Sequence, residues 1–304
     1  MSDTVRIIEM GARDGLQNEK TPVSVAGRIA FIEKLLDAGL HTIEVGAFVS
    51  PKAIPQMMGS DEVLRGVNHL PGEFHVLVPN EKGYETARAC GARVISVFTA
   101  ASEGFCRANI NCSIAESIER FKPVVARARA DGIRVRGYIS TVLGCPFDGE
   151  VKPKAVADVA KTLWVLGCYE ISLGDTIGVG TPLKAREMLR AVGTHIPMAN
   201  LAMHFHDTYG QALANLYAGM EAGVHVIDSA AGGLGGCPYA PGATGNVATE
   251  DVVYMLEGMG IRTGVDMPKL LAATNEITAL IGRAPASRVA NALNAKQRRV
   301  ANGK

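Results

Sequence analysis

Eight short apolar runs recur along the chain, and each is followed by a turn signal and then by a longer helical pattern. Runs of this length that are rich in β-branched residues are typical of buried strands. Strands that alternate with helices indicate parallel βαβ units, and eight such units in sequence favour a closed barrel over an open doubly wound sheet. The runs cover residues 5–11, 41–48, 74–79, 93–100, 134–141, 169–176, 201–208 and 225–233.

The segments between the runs support the same architecture. Residues 24–38 have an amphipathic helical pattern that stops at Gly39, and glycine just past the last turn is the usual helix stop. A dinucleotide-binding sheet would need a Gly-x-Gly-x-x-Gly loop after its first strand, and "GARDGLQ" (11–17) lacks that spacing. We therefore expect one α/β domain, a (β/α)8 TIM barrel over about residues 5–262 with added C-terminal helices over about 263–304.

The composition excludes several classes of function. The chain has 304 residues, of which 47% are hydrophobic and 20% are charged, so a large core can form. Its formal net charge of +1 gives no general attraction to nucleic acid or to an anionic membrane. We therefore expect a small-molecule substrate, and neither a nucleic-acid nor a membrane partner.

The cysteines and the N-terminus bear on the cellular compartment. The cysteines form no CxxC pair, which favours free thiols in a reducing compartment. Residues 1–4 lead directly into the first apolar run, which leaves no room for a leader peptide, and no apolar run approaches membrane-spanning length. We expect a cytoplasmic enzyme and, from the usual habit of barrels, a homodimer. The cysteines are Cys90, Cys106, Cys112, Cys145, Cys168 and Cys237.

The residues with catalytic or metal-binding capacity cluster where a barrel has its active site. That site lies at the C-terminal ends of the strands, in the loops that follow them. Glu44, within the second run, lies deeper and is placed to support Arg13. The strand-end residues are Arg13 and Asp14 after the first run, Asp175 at the end of the sixth, His204 and His206 at the end of the seventh, and Cys237 and Asn246 in the glycine-rich loop 232–246 after the eighth.

His204 and His206 are the centre of the predicted site. Residues i and i+2 on a strand point to the same face, so the two imidazoles converge at the barrel mouth if that face is the interior. With the Asp14 carboxylate and the Asn246 amide oxygen they would form an octahedral site that suits Mg²⁺ or Mn²⁺ better than zinc. The alternative is that both rings face the surrounding helices and only fill space.

Arg13 and Cys237 predict the chemistry beside the metal. Arg13 has a permanent charge and a rigid fork of donors, which suits it to stabilise an enolate oxygen. Cys237 lies between a glycine and a proline in a loop that can move over the barrel mouth, and its thiol is mostly protonated near neutral pH. It can therefore give a proton to a carbanion. A nucleophilic role for Cys237 stays open, although no third residue prepares it for one.

Six segments resemble the 3-hydroxy-3-methylglutaryl-CoA lyase family, and together they cover about residues 5–290. The motif RDGLQ marks only a wider superfamily of metal-dependent barrels, whereas GGCPYAPGATGN is much more specific to the lyases. Residues 45–48, "VGAF", depart from the family pattern, which has hydroxyl-bearing residues there, and this bears on packing around Glu44 or the acyl pocket. The six segments are "GARDGLQNEK" (11–20), "IEVGAFVSPKAIPQM" (43–57), "NINCS" (109–113), "GCYEISLGDTIGVGTP" (167–182), "HFHDTYGQALAN" (204–215) and "GLGGCPYAPGATGNVATEDVVYML" (233–256).

This resemblance implies a TIM barrel and a specific reaction. The reaction is a retro-Claisen cleavage of 3-hydroxy-3-methylglutaryl-CoA to acetyl-CoA and acetoacetate, a step of leucine degradation and ketone-body formation. The base that removes the substrate's hydroxyl proton is either Asp14 or Asp175, and the sequence does not choose between them. The implied ligands of the divalent metal are Asp14, His204, His206 and Asn246, and the implied catalytic residues are Arg13, Cys237, Asp14, Glu44 and Asp175.

Other classes of protein stay open at this point. A lyase for a longer, branched 3-hydroxyglutaryl-CoA would differ only in its acyl pocket. A Claisen-type synthase that condenses an acyl-CoA with a 2-oxo acid often carries a long C-terminal extension, and an amidohydrolase would have its histidine pair after the first strand. A catalytically silent scaffold would be expected to lack a metal ligand or Cys237, and here all of them are present.

Overall fold

Eight parallel strands close into a barrel in the computed structural model, which describes residues 4–236 and 244–301. Each strand pairs with its neighbours in chain order, and the first pairs with the eighth to close the ring. The predicted TIM barrel is thereby confirmed, with every predicted apolar run contributing one strand. The strands are β1 (Arg6–Glu9), β2 (Thr42–Ala47), β3 (Glu73–Leu77), β4 (Val94–Ala100), β5 (Arg134–Ser140), β6 (Glu170–Asp175), β7 (Leu201–Phe205) and β8 (Val226–Ser229).

Helices surround the barrel, and two follow it at the C-terminal side of the chain. None of the helices in the described part of the chain combines the length and the apolar character needed to cross a membrane. They are α1 (Val25–Asp37), α2 (Ser60–Val67), α3 (Glu81–Ala89), α4 (Glu103–Ile110), α5 (Ile114–Ala130), α6 (Pro153–Leu166), α7 (Pro182–Val192), α8 (Ala212–Glu221), α9 (Thr249–Gly258), α10 (Met267–Ile281) and α11 (Arg288–Ala301).

The ends of α1 show why the sequence pattern predicts this helix closely. The Ser24 side chain accepts a hydrogen bond from the Gly27 N–H and so caps the first turn. Past the other end, Gly39 adopts a positive φ of 92°, which only glycine reaches without strain. A cap and a left-handed glycine are both local features, and for that reason they are readable from the sequence.

The lower interior of the barrel is charged rather than purely apolar. Arg136 on β5 is fully buried and donates from Nε to Oε1 of Glu170 on β6 at 2.7 Å. It also donates to both carboxylate oxygens of Asp228 on β8, at 2.9 and 2.7 Å. These buried charges are tolerated because each one is paired and hydrogen-bonded. The network lies directly below the strand ends and so forms the floor of the site above.

The segment 45–48, at the end of β2, packs against the start of α2. A Cβ atom added to Gly46 would lie 2.7 Å from the Ser60 hydroxyl oxygen at the start of α2. That hydroxyl accepts from the Ala47 N–H at 3.2 Å and donates to the Met57 carbonyl at 2.6 Å. The segment has no room for a side chain at residue 46, and the Ser60 hydroxyl of α2 supplies the hydrogen-bond acceptor for its Ala47 N–H.

Candidate active site

A cavity of about 370 Å³ lies at the C-terminal ends of the strands. Arg13, Asp14, His204 and His206 line it, so four of the predicted site residues converge on one space. Tyr138 on β5, which the sequence analysis did not single out, lines it as well. The volume is in the range of small-molecule sites. The apolar part of the wall includes Val49, Ile54, Leu77, Phe98, Phe105 and Ile110.

A single π-helical turn, Gly11–Gly15, presents Arg13 and Asp14 to the cavity. The turn follows β1 directly, and the Gly15 N–H closes it by donating to the Met10 carbonyl at 3.0 Å. A Cβ atom on Gly15 would lie 2.7 Å from the Leu234 Cβ, so only glycine lets the two segments approach this closely. The turn thereby connects the Arg13 segment to the loop that follows β8.

Two carboxylates hold the Arg13 guanidinium in place. Its Nε donates to Glu44, which is fully buried on β2, and its Nη1 donates to Asp14 at 2.6 Å. Tyr138 donates to the second oxygen of Glu44 at 3.2 Å. Burial alone would lower the pKa of Arg13, but Glu44 and Asp14 outweigh it and raise the pKa above its ordinary value. Arg13 is therefore a fixed positive charge on the cavity wall, as the sequence analysis expects.

Asp14, His204 and His206 form a cluster of the size that binds one cation. Their ligand atoms all lie within 4.8 Å of one another, and Nε2 of His204 is 3.8 Å from Oδ2 of Asp14. The two imidazole rings are 5.5 Å apart, so His204 on β7 and His206 just past its end project to the same side. Asn246 joins them, since its Nδ2 donates to Asp14 at 2.8 Å. The prediction that the histidines converge inside the barrel agrees with this geometry.

The donor atoms of this cluster fit a divalent cation. Nδ1 of His206 and Oδ1 of Asn246 are buried and have no hydrogen-bond partner among the described residues, which leaves their lone pairs free to coordinate. Burial, followed by the neighbouring His204, lowers the pKa of His206 to about 4, so its ring is neutral near pH 7. Burial would raise the pKa of Asp14, but the Arg13 guanidinium beside it outweighs burial and the pKa falls to about 2. An ionised carboxylate and an amide oxygen are ligands that Mg²⁺ and Mn²⁺ prefer, and the imidazole ring is a common metal ligand.

Asp175 lies at the end of β6, as expected, but its carboxylate is turned away from the cavity. It is fully buried and accepts from the backbone N–H groups of Val179 and Gly180 at 3.2 and 2.8 Å. Burial outweighs these hydrogen bonds and raises the pKa of Asp175 to about 6. Its backbone carbonyl accepts from the His206 N–H at 3.3 Å. Asp175 is thus joined to the site through the backbone of His206.

Cys237 lies outside the described residues. The residue before it, Gly236, lines the cavity, and its carbonyl accepts a hydrogen bond from the Asn18 side chain at 3.0 Å. The five cysteines in the described ranges are all free and buried. The proton-donor role of Cys237 stays a prediction from the sequence.

Two buried carboxylates that the sequence analysis missed hold the start of the glycine-rich loop. Glu9 accepts from the Gly11 and Ala231 N–H groups at 2.7 and 2.9 Å and from the Thr249 hydroxyl at 2.6 Å. Glu250 accepts from the Gly232 N–H at 2.9 Å and from the Thr274 hydroxyl. Both acids sit outside the cavity, and they connect the Arg13 turn, the loop and α9 into one unit.

We expect the contribution of Glu250 to the stability of the protein to fall as the pH rises from about 5 to 8. Burial raises the pKa of Glu250 to about 7 from an ordinary value of 4.5. The folded state therefore binds the proton more tightly than the unfolded chain, and deprotonation costs up to about 3 kcal/mol of unfolding free energy. Glu250→Gln should gain stability relative to the wild type over this pH range, measured by thermal melts at pH 5, 6.5 and 8. The exposed Glu257→Gln on the same helix is the control, and parallel curves for all three proteins would contradict the prediction.

The comparisons with known proteins agree with one another. A family model described as HMGL-like matches residues 4–277. The chain is 57% identical over 293 residues to "3-hydroxy-3-isohexenylglutaryl-CoA/hydroxy-methylglutaryl-CoA lyase" of Pseudomonas aeruginosa, an alignment that covers 96% of this chain and 98% of that protein. It is 56% identical over 289 residues to the mitochondrial hydroxymethylglutaryl-CoA lyase of Rattus norvegicus, covering 95% of this chain and 89% of the relative. The crystal structure of hydroxymethylglutaryl-CoA lyase from Pseudomonas aeruginosa matches with a TM-score of 0.95 at 56% identity, over 97% of this chain and 99% of that chain.

Proposed function

Because the chain belongs to the HMGL-like family, we propose that it is a lyase that cleaves 3-hydroxy-3-methylglutaryl-CoA to acetyl-CoA and acetoacetate with the help of a divalent metal. The observation that carries the proposal is the convergence of Asp14, His204 and His206 with the fixed charge of Arg13 on one cavity. The names of the similar proteins support a lyase and do not favour a Claisen-type synthase or an amidohydrolase.

Four residues would hold the metal: Asp14, His204, His206 and Asn246. When bound there, Mg²⁺ or Mn²⁺ would act as a Lewis acid on the substrate's tertiary hydroxyl and acyl oxygens and make the hydroxyl proton more acidic. The choice of these two ions rests on the donor set, which contains no thiolate among the described residues and includes the Asp14 carboxylate and the Asn246 amide oxygen beside the two imidazoles.

We assign removal of the hydroxyl proton to Asp14 rather than to Asp175. Asp14 lines the cavity and is ionised near neutral pH because the Arg13 guanidinium stabilises its charge. The carboxylate of Asp175 is instead engaged by the N–H groups of Val179 and Gly180. Asp175 then serves the reaction by holding the turn and the backbone of His206, a supporting role.

As the hydroxyl proton leaves, the carbinol carbon becomes the ketone of acetoacetate and its bond to the thioester α-carbon breaks. The electron pair of that bond passes to the acetyl-CoA fragment as an enolate, whose oxygen meets Arg13. Nε and Nη1 of Arg13 are held by Glu44 and Asp14, and no described residue engages Nη2, so this nitrogen is the donor left for the enolate. Cys237 then gives its thiol proton to the enolate carbon; this assignment rests on the sequence alone.

The first test is the release of acetoacetate from 3-hydroxy-3-methylglutaryl-CoA by chelator-treated protein. We expect no release without metal and restored release after addition of Mg²⁺ or Mn²⁺. A coupled enzymatic assay measures the acetoacetate. A longer, branched 3-hydroxyglutaryl-CoA serves as the comparison substrate, because one similar protein is named for such a compound. Release from the longer substrate alone would overturn the assigned substrate. Release that is undiminished after chelation would overturn the metal.

The setting of the enzyme is also a proposal. We place it in the cytoplasm as a homodimer that takes part in leucine degradation and ketone-body formation, with no nucleic-acid or membrane partner. The near-neutral charge and the similarity to a bacterial lyase support this setting. Light scattering on the purified protein measures the assembly directly, and a monomer would contradict the dimer.

A further inference from the structure

We propose that Asp228, in the floor of the barrel, is a positioning residue that fixes the orientation and the tautomer of the His204 ring. The effect on metal binding rests on the proposed function, whereas the orientation of the His204 ring follows from contacts within this chain. Asp228 lies on β8 and is fully buried, and it is paired in register with His204 on β7. It was not among the residues that the sequence pattern indicated.

The contact between the two side chains determines which ring nitrogen is free. Oδ2 of Asp228 lies 3.3 Å from Nδ1 of His204. An ionised carboxylate can only accept a hydrogen bond, so Nδ1 carries the proton, and in the neutral ring, the form that binds a metal, Nε2 carries the lone pair. Nε2 is the nitrogen that faces Asp14, at 3.8 Å. Asp228 thus directs the lone pair of His204 to the point where the other ligand atoms converge.

Asp228 is itself held by three donors. The Arg136 guanidinium donates to both of its oxygens, at 2.9 and 2.7 Å, and the Ser172 hydroxyl donates to Oδ2 at 2.8 Å. Arg136 in turn donates to Glu170 at 2.7 Å and to the Tyr138 hydroxyl at 2.7 Å. The acceptor that orients His204 is therefore ionised and immobile. Because Asp228 is already fixed, little conformational entropy is lost at His204 when a metal binds.

The two histidines of the site differ in this respect. Nδ1 of His206 has no partner among the described residues, whereas Nδ1 of His204 is engaged by Asp228. Tyr138 packs edge-on against the His204 ring, with the centroids 6.1 Å apart, and limits its rotation further. His204 is thus the ligand whose geometry is set before any cation arrives, and Asp228 is the residue that sets it.

The test compares Asp228→Asn with Glu170→Gln. Each replacement removes one carboxylate charge from the buried Arg136, but only Asp228 contacts His204. We expect the dissociation constant for Mn²⁺, measured by titration of the metal-free protein, to rise about 10- to 100-fold in Asp228→Asn and to change less than about threefold in Glu170→Gln. Ser172→Ala, which removes one donor to Asp228 but no charge, should weaken Mn²⁺ binding by a smaller factor and serves if Asp228→Asn does not fold.

A second measurement is independent of metal. We expect ¹⁵N NMR of metal-free protein with ¹⁵N-labelled histidine to show the His204 proton on Nδ1 in the wild type and in Glu170→Gln. In Asp228→Asn we expect a mixture of the two tautomers. Unchanged Mn²⁺ affinity in Asp228→Asn, an equal loss in both variants, or a wild-type proton on Nε2 would each overturn the proposal. If the wild type bound no Mn²⁺ yet carried the proton on Nδ1, the proposed metal dependence would fall while the role of Asp228 stood.

Discussion

Replacing Arg13 by glutamine should lower kcat for 3-hydroxy-3-methylglutaryl-CoA by at least about 10³-fold, because the fixed charge that meets the enolate oxygen is lost. Glu44 and Asp14 hold this donor in position before the reaction starts. Water would have to reorient around the enolate during the reaction, so it is a poor substitute for the lost guanidinium. The enolate forms only after the carbon–carbon bond begins to break. KM should therefore change much less than kcat, by less than about tenfold, since the contact is made in the transition state. Steady-state kinetics at saturating metal measures both.

Two further variants separate this effect from damage to the fold. Arg13→Lys keeps the charge but not the fork that contacts Glu44 and Asp14 together, and we expect it to be intermediate, about 10²-fold below the wild type. Arg283→Gln breaks a comparable pair with Glu19, at 2.6 Å, outside the cavity, and should leave kcat unchanged. If Arg13→Gln stayed within tenfold of the wild type while it remained folded, the enolate would be stabilised elsewhere.

The order and number of the strands could be read from the sequence because the signal is local. A buried parallel strand is a short apolar run between turn residues, and each of the eight runs has this form. The predicted strand ends were less accurate where contacts with distant segments, or a turn of the backbone, take the chain out of the sheet. The run 225–233 ends as a strand at Ser229, because Gly232 and Gly233 turn with positive φ values of 66° and 63°. The run 201–208 ends at Phe205, since His206 pairs with Asn246 instead.

The site was predicted as far as the strand-end rule extends. The rule predicts Arg13, Asp14 and the histidine pair at the end of the barrel where active sites lie, and the structure brings these four residues to one cavity. The family resemblance that accompanied it is confirmed by the HMGL-like match. Strand-end position does not determine where a side chain points, however. Asp175 satisfies the rule, yet its carboxylate binds the turn of residues 178–180.

Residues below the strand ends were missed for a different reason. Asp228 lies within β8 in the short stretch "VIDS", and Arg136 lies within β5 in "RVRGYIS". A charged residue inside an otherwise apolar strand signals a buried partner, since an isolated buried charge is too costly to keep. That signal was present in the sequence. The identity of the partner depends on which strands face each other across the barrel, and this could be known only from the closed structure.

Replacing His206 by alanine should abolish metal binding at physiological concentrations, with a rise of at least about 10²-fold in the Mn²⁺ dissociation constant. Loss of a direct ligand should exceed the effect of about 10- to 100-fold that loss of a supporting residue has. His206 is buried at the centre of the cluster, and its Nδ1 has no hydrogen-bond partner in the described ranges, so no other contact compensates for its loss. Calorimetric titration of metal-free protein measures the affinity, and acetoacetate release as a function of added Mn²⁺ measures the consequence.

The matched control is His225→Ala, a partly buried histidine that precedes β8 at the opposite end of the barrel. Its loss should leave Mn²⁺ affinity and turnover unchanged. For His206→Ala, activity should return in part at high Mn²⁺, because Asp14, His204 and Asn246 still supply three ligands. Unchanged affinity in His206→Ala would mean that the two histidines at the end of β7 only pack the barrel mouth, which is the alternative stated for them from the sequence. Lost affinity without any recovery at high Mn²⁺ would instead place His206 in direct contact with the substrate.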